Sequence, residues 1–133
     1  MIQDLRWTLV VTLIAASVGC GPPPVSVGDC ELQAYAPHMT NAPHTTASGV
    51  LTCPQSETIT LQVCLQEQLS GWQDVPGCCA NGSKVGQKLT TETGTCVRQV
   101  GRMYRSQVVG TANGARAKAV SDAVIGRNDH AER

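Results

Sequence analysis

An all-β fold, a small antiparallel sandwich stapled by disulfides, follows from three features of the sequence. Short runs rich in β-branched residues, separated by turn residues, fill the middle of the chain. The chain carries seven cysteines, six of them between positions 30 and 96. Large side chains are scarce: there is no Phe, and after position 19 the aromatics are Tyr35, Trp72 and Tyr104. A core so thin needs support from elsewhere. A disulfide contributes typically about 2–4 kcal/mol against a total stability of about 5–15 kcal/mol, so the cysteines read as staples.

The chain opens with an export signal. Arg6 supplies a positive start, partly offset by Asp4, and Trp7 to Val18 is an apolar run of twelve residues. As a helix that run rises only about 18 Å, short of a bilayer core of about 30 Å. It therefore reads as a segment to be removed, and residues 1–19 are expected to form a signal peptide. Ser17-Val18-Gly19-Cys20 resembles the lipobox of bacterial lipoproteins, departing from it at Ser17, where a large aliphatic residue is usual. The resemblance implies that Cys20 becomes the mature N-terminus and the site of lipid attachment. Ordinary secretion, with Cys20 not acylated, is the alternative.

Residues 20–28, with Pro22-Pro23-Pro24, are expected to be a Pro-rich tether. Cutting before Cys20 leaves 114 of the 133 residues, the size of one domain, expected over 29–125 with a polar tail over 126–133. Setting Cys20 aside leaves an even set, Cys30, Cys53, Cys64, Cys78, Cys79 and Cys96, for disulfides.

Cys30 to Tyr35 alternates polar and apolar residues and predicts a strand, which the prolines of Pro37 to Pro43 break. Ser48 to Cys53 predicts the next. Thr58 to Leu65 has the cleanest period of two, with Ile59, Leu61, Val63 and Leu65 on one face. Ser70-Gly71 turns the chain into a short strand, Trp72 to Val75. Pro76 to Lys88, with three glycines and Asn81-Gly82, reads as loop. Asn113-Gly114 is the pair favoured by a two-residue type I′ hairpin, whose central residues both need positive φ. Folding there sets Ala112 opposite Ala115, Val108 opposite Ala119, Arg105 opposite Asp122 and Tyr104 opposite Ala123. One face then holds Tyr104, Ser106, Val108, Gly110, Ala117 and Ala119, and the other is polar apart from Val109 and Val120. The alternative is an Ala-rich helix over 115–125, with Asn113 as N-cap and Gly126 at its end.

Adjacent Cys78 and Cys79 would close a strained small ring, so a bond between them is set aside. If Cys30–Tyr35 and Ser48–Cys53 pair antiparallel, Cys30 falls opposite Cys53, which favours that disulfide. Cys96 with Cys78 or Cys79 is the next choice.

Gly49-Val50-Leu51-Thr52-Cys53, Trp72, Thr95-Cys96 and the segment Gly101 to Ser106 give the chain a resemblance to small Ig-like secreted proteins of actinobacteria. The resemblance spans roughly residues 29 to 125 and implies an Ig-like sandwich. It carries over no site residues, and Ser106 stands where an immunoglobulin has its second cysteine.

Net charge is zero, so no global field draws nucleic acid, and none is expected as a partner. The charge is uneven, however. After Val97, Arg98, Arg102, Arg105, Arg116, Lys118, Arg127 and Arg133 face only Asp122, Asp129 and Glu132. The functional reading is a basic surface for an anionic envelope polymer or lipid headgroups; the plainer one is a solvated strand face and a polar tail. His38 and His44 lie wider apart than zinc ligands usually do, and no Cys-x-x-Cys occurs, so no metal and no cofactor is expected. Asn81-Gly82-Ser83 matches a glycosylation acceptor for a eukaryotic secretory route. No nucleophile elbow, zinc-protease motif, phosphate loop or dinucleotide fingerprint appears, and no catalytic residue is assigned. The expectation is a non-enzymatic exported lipoprotein of the cell envelope, an interaction or structural module for an envelope or extracellular protein. A soluble secreted binding module or small inhibitor is the alternative.

Overall fold

The structure is a computed structural model that describes residues 22–40 and 43–127. The expected signal peptide, Cys20 and the end of the expected tail lie outside the described residues. The fold is all-β and antiparallel throughout. Its strands are β1 (Val25–Val27), β2 (Cys30–Met39), β3 (His44–Gln68), β4 (Trp72–Glu92), β5 (Cys96–Val97), β6 (Met103–Ala112), β7 (Ala115–Val120) and β8 (Val124–Ile125). The sheet runs β1-β2-β3-β6-β7, with β4 and β5 also on β3 and β8 on β6. Among the described residues no helix is long and apolar enough to cross a membrane.

The long strand β3 belongs to both layers of the fold. Its first half pairs with β2 on one edge and the end of β4 on the other. Its second half pairs with β6 and the start of β4. Between the halves, Cys53-Pro54-Gln55-Ser56 stand opposite the single residue Gln87, a bulge that bends the strand. The inward set stays on odd-numbered positions through the bend, with Ala47, Gly49, Leu51 and Cys53 before it and Ile59, Leu61, Val63 and Leu65 after it. The two predicted strands are thus one strand with a corner.

That corner folds β1, β2 and the first half of β3 over β6, β7 and the second half of β3. Small residues let the layers approach. A Cβ on Gly110 would stand 2.9 Å from Leu32 Cδ1 and 3.5 Å from Leu51 Cδ2. One on Gly49 would stand inside contact distance of Val108 Cγ1. The dry centre comprises Leu32, Leu51, Ile59, Leu61, Val63, Leu65, Tyr104 and Val108, each at 1% exposure or less. Such burial stabilises by about 25 cal/mol per Å² of apolar surface.

The disulfides pin the irregular places. Cys30–Cys53 ties the β3 bulge to β2, with Cα atoms 4.2 Å apart. Cys64–Cys79 joins directly opposed residues of β3 and β4, Cα atoms 4.0 Å apart. Cys78–Cys96 anchors a second bulge, Val75 to Cys78 opposite Leu65, to β5.

Several expectations are corrected. Pro37 does not end β2: Ala36-Pro37 form a bulge opposite Ala47, where a missing N–H breaks no ladder bond, and the strand runs on to Met39. Pro76 to Lys88 is not loop but part of β4. Gly77 takes a positive φ of 75° within the second bulge, and Gly82 is small because the hairpin folds back on itself: a Cβ there would stand 2.6 Å from Thr91 Oγ1. The tether is shorter than 20–28, since Val25–Val27 pairs with β2 and Val27 is buried.

The hairpin turns at Asn113 (φ 52°) and Gly114 (φ 88°), with Ala112 opposite Ala115 and Val108 opposite Ala119. The alternative helix over 115–125 is replaced by β7 and β8. Past Ser121, whose N–H donates to Ser106 O at 2.9 Å, the register gains a residue, and Tyr104 pairs with Val124 instead of Ala123. Arg105 therefore loses Asp122 as a ladder partner.

The lower end is closed by two ties. Tyr104 Oη accepts a hydrogen bond from the Gln99 N–H at 2.7 Å. Arg98, 3% exposed, donates from Nε to Arg127 O at 2.9 Å and from Nη1 to the carbonyls of Thr40 and His44. The expected tail over 126–133 thus begins inside the fold: Gly126 is buried and its N–H donates to Arg102 O at 2.7 Å.

Candidate functional site: a polar sheet face

With the odd positions of β3 turned inward, its even positions build the opposite face together with β4, β6 and β7. The register lays this face out in rows across the strands. One row is Arg116, Thr111, Thr60 and Ser83; the next is Lys118, Val109, Gln62 and Asn81. A third is Val120, Gln107, Cys64 and Cys79, and a fourth Arg105, Gln66 and Asp74, with Trp72 beyond it. Four strands at about 4.8 Å spacing make a platform about 14 Å wide.

The lower half of the face is locked. The Arg105 guanidinium lies 4.4 Å from the centre of the Trp72 ring and donates from Nε to Gln66 Oε1 at 2.9 Å. Gln66 Nε2 in turn donates to Asp74 Oδ1 at 2.9 Å. Desolvation lowers the Arg105 pKa from the ordinary arginine value, and the group stays charged. The neighbouring row is closed by the Cys64–Cys79 bond.

The upper half is open. Thr60 and Thr111 share a short hydroxyl–hydroxyl hydrogen bond across β3 and β6. Around them the side chains of Gln62, Asn81, Ser83, Arg116 and Lys118 make no hydrogen bond or ion pair among the described residues. Gln62, Asn81, Ser83 and Arg116 line a shallow groove of about 530 Å³, with half-buried Val109 as its apolar floor, and Lys118 lines an adjoining hollow that shares Val109 and Arg116 with it. Comparison with family models, curated proteins and solved structures finds no match to this chain.

The other candidate groups do not assemble into a site. His38 and His44 are exposed and lie on β2 and β3. Two groupings have metal-like spacing, Cys30–Cys53–Glu57 and Cys64–Asp74–Cys79. In both, the sulfurs are spent in disulfides and offer no thiolate to a cation. A Glu57 carboxylate oxygen lies 3.8 Å from Cys30 Sγ, which in its disulfide has no hydrogen to donate. Cys20 lies outside the described residues.

Sequence reasoning placed Arg116 and Lys118 on the polar hairpin face and met Val109 as an exception there. It missed Gln62, Asn81 and Ser83 as neighbours of that face. The overlooked signal is the alternation Cys79, Asn81, Ser83, Val85, all outward on β4 and interleaved with Ala80 and Gly82.

Proposed function

We propose that this is an exported, non-enzymatic interaction module of the cell envelope, held by lipid on Cys20 and binding through the open half of its sheet face. The observation that carries the reading is that half-face: five polar side chains without hydrogen-bond or ion-pair partners among the described residues, on a body cross-linked by three disulfides. A face that is rigid before binding loses little conformational entropy when it binds. The three disulfides fit an oxidising, exported environment. The six cysteines of the body pair among themselves, which leaves Cys20 without a cysteine partner in the chain. That parity and the lipobox resemblance support acylation.

From Cys20 to the start of β1 at Val25 an extended chain reaches at most about 17 Å, so a lipid there holds the body close to the bilayer. The test is fractionation of the producing cells. An acyl anchor keeps the protein in the membrane fraction through a high-salt wash and releases it with detergent. Release by salt, or recovery from the medium, overturns the anchor and leaves the soluble secreted binding module or small inhibitor.

A further inference from the structure

We infer that the open half of the sheet face binds a linear polysaccharide carrying uronic-acid carboxylates; this deepens the proposed function and rests on its choice of surface. Three features of the face specify that chemistry.

The first is the arrangement of charge. Arg116 and Lys118 project from alternate positions of β7, about 7 Å apart along the strand, and are exposed without a carboxylate partner among the described residues. The one acid of the four rows, Asp74, sits in the far row and is engaged by Gln66. A planar guanidinium matches a carboxylate with two parallel hydrogen bonds. The second feature is the neutral remainder of the groove. Gln62, Asn81 and Ser83 offer both donors and acceptors with no protein partner, the complement of sugar hydroxyls. A polymer of bare phosphates only accepts hydrogen bonds, so it would leave the acceptor oxygens of Gln62 and Asn81 idle. The third is shape. The groove is shallow and runs across the strands from β7 to β4, so it admits a chain that enters and leaves. Val109 offers an apolar floor for the C–H face of a sugar ring.

Charges on an edge strand also guard against unwanted strand pairing, and β7 is such an edge. That role needs the charges alone. It does not account for the unpaired amides two and three strands away, on β3 and β4. An anionic membrane is a poorer fit, because none of the large exposed apolar side chains Tyr35, Leu69, Val85, Val97, Val100 and Ile125 lines this groove, and Val85 alone of them stands beside it, two residues beyond Ser83 on β4.

The test uses the full protein, purified from whichever fraction of the producing cells holds it and immobilised, with polygalacturonate, neutral dextran, polyphosphate and phosphatidylglycerol nanodiscs passed over it. Polygalacturonate should bind, and more weakly as salt rises. Arg116→Gln with Lys118→Gln should lower its affinity about tenfold or more. Gln62→Ala with Asn81→Ala should lower it about threefold or more while leaving the salt dependence as it was. All four side chains are exposed and unpaired, so the variants should melt with the parent. Absence of polygalacturonate binding overturns the inference. So does equal or tighter binding of polyphosphate, nanodiscs or dextran, or parental affinity in either variant. Binding is measured without reference to the anchor: a protein retained in membranes that ignores polygalacturonate defeats this inference alone, and one that binds it but is released by salt defeats the anchor alone.

Discussion

Replacing Gly49 with alanine tests the contact that holds the two layers together. Gly49 is locked within its sheet, opposite Ala34 on β2 and Thr91 on β4, so it has no freedom to slide away. A methyl group there points at Val108, inside contact distance of Cγ1, 3.3 Å from its Cβ and 3.0 Å from the Gln33 carbonyl oxygen. Val108 is fully buried between Val63 and Ala119. Its β-branched side chain has little rotamer freedom with which to yield. Overpacking of this kind costs about 1–3 kcal/mol. In a domain of this size each kcal/mol lowers the melting temperature by about 4–8 °C. Val108→Ala alone should cost about 2 kcal/mol for the lost methyl groups and the void. In that background the new methyl at 49 meets space instead of Cγ1, and its cost should fall by about 1 kcal/mol or more, leaving the Gln33 contact as the residue. Equilibrium urea unfolding of the oxidised protein, followed by circular dichroism across the four members of the cycle, measures the coupling. Equal cost of Gly49→Ala in both backgrounds, or no cost in either, would refute the face-to-face packing.

Gly114→Val should destabilise by about 1–2 kcal/mol, because φ there is +88° and a β-branched residue resists that region; thermal melting checks it, and an unchanged midpoint would count against the type I′ turn. Arg98→Met should cost about 3 kcal/mol by removing the Arg98 donors from the carbonyls of Thr40 and Arg127 and leaving His44 O only its bonds from Thr40, with hydrogen exchange accelerating at Gly101 and Gly126 before the sheet; uniform exchange would show that Arg98 does not close this end. Denatured, unreduced protein should yield no thiol from the six body cysteines, and peptide mapping should recover Cys30–Cys53, Cys64–Cys79 and Cys78–Cys96 as the pairs.

The parts of the fold legible in the sequence are those governed by short-range rules. Thr58 to Leu65 announced itself by its period of two, and Asn113-Gly114 by a turn type that demands positive φ at both centres. Cys30 and Cys53 followed from the antiparallel pairing of their strands. What escaped was set by long-range geometry. β4 lacks an apolar alternation because its inward positions include Ala80, Gly82 and Gly86, and Gly82 must stay small where the bent hairpin closes on Thr91 and Leu89. Its glycines and Asn81-Gly82 therefore mimic a loop. The extra residue after Ser121 moves Arg105 away from Asp122 and onto Trp72 and Gln66, a choice made by β3 and β4. The candidate site inherits both misses. Arg116 and Lys118 were visible on the hairpin, whereas Gln62, Asn81 and Ser83 joined them only once β4 was paired with β3.

The most direct test of an anchored, disulfide-stapled envelope module is the intact mass of the protein isolated from the membranes of its own host. The expected mass is that of a chain beginning at Cys20, heavier than its 114 residues by covalently bound acyl chains and lighter by the hydrogens lost in three disulfides. An unmodified N-terminus at another residue, or body cysteines recovered as thiols, would contradict it.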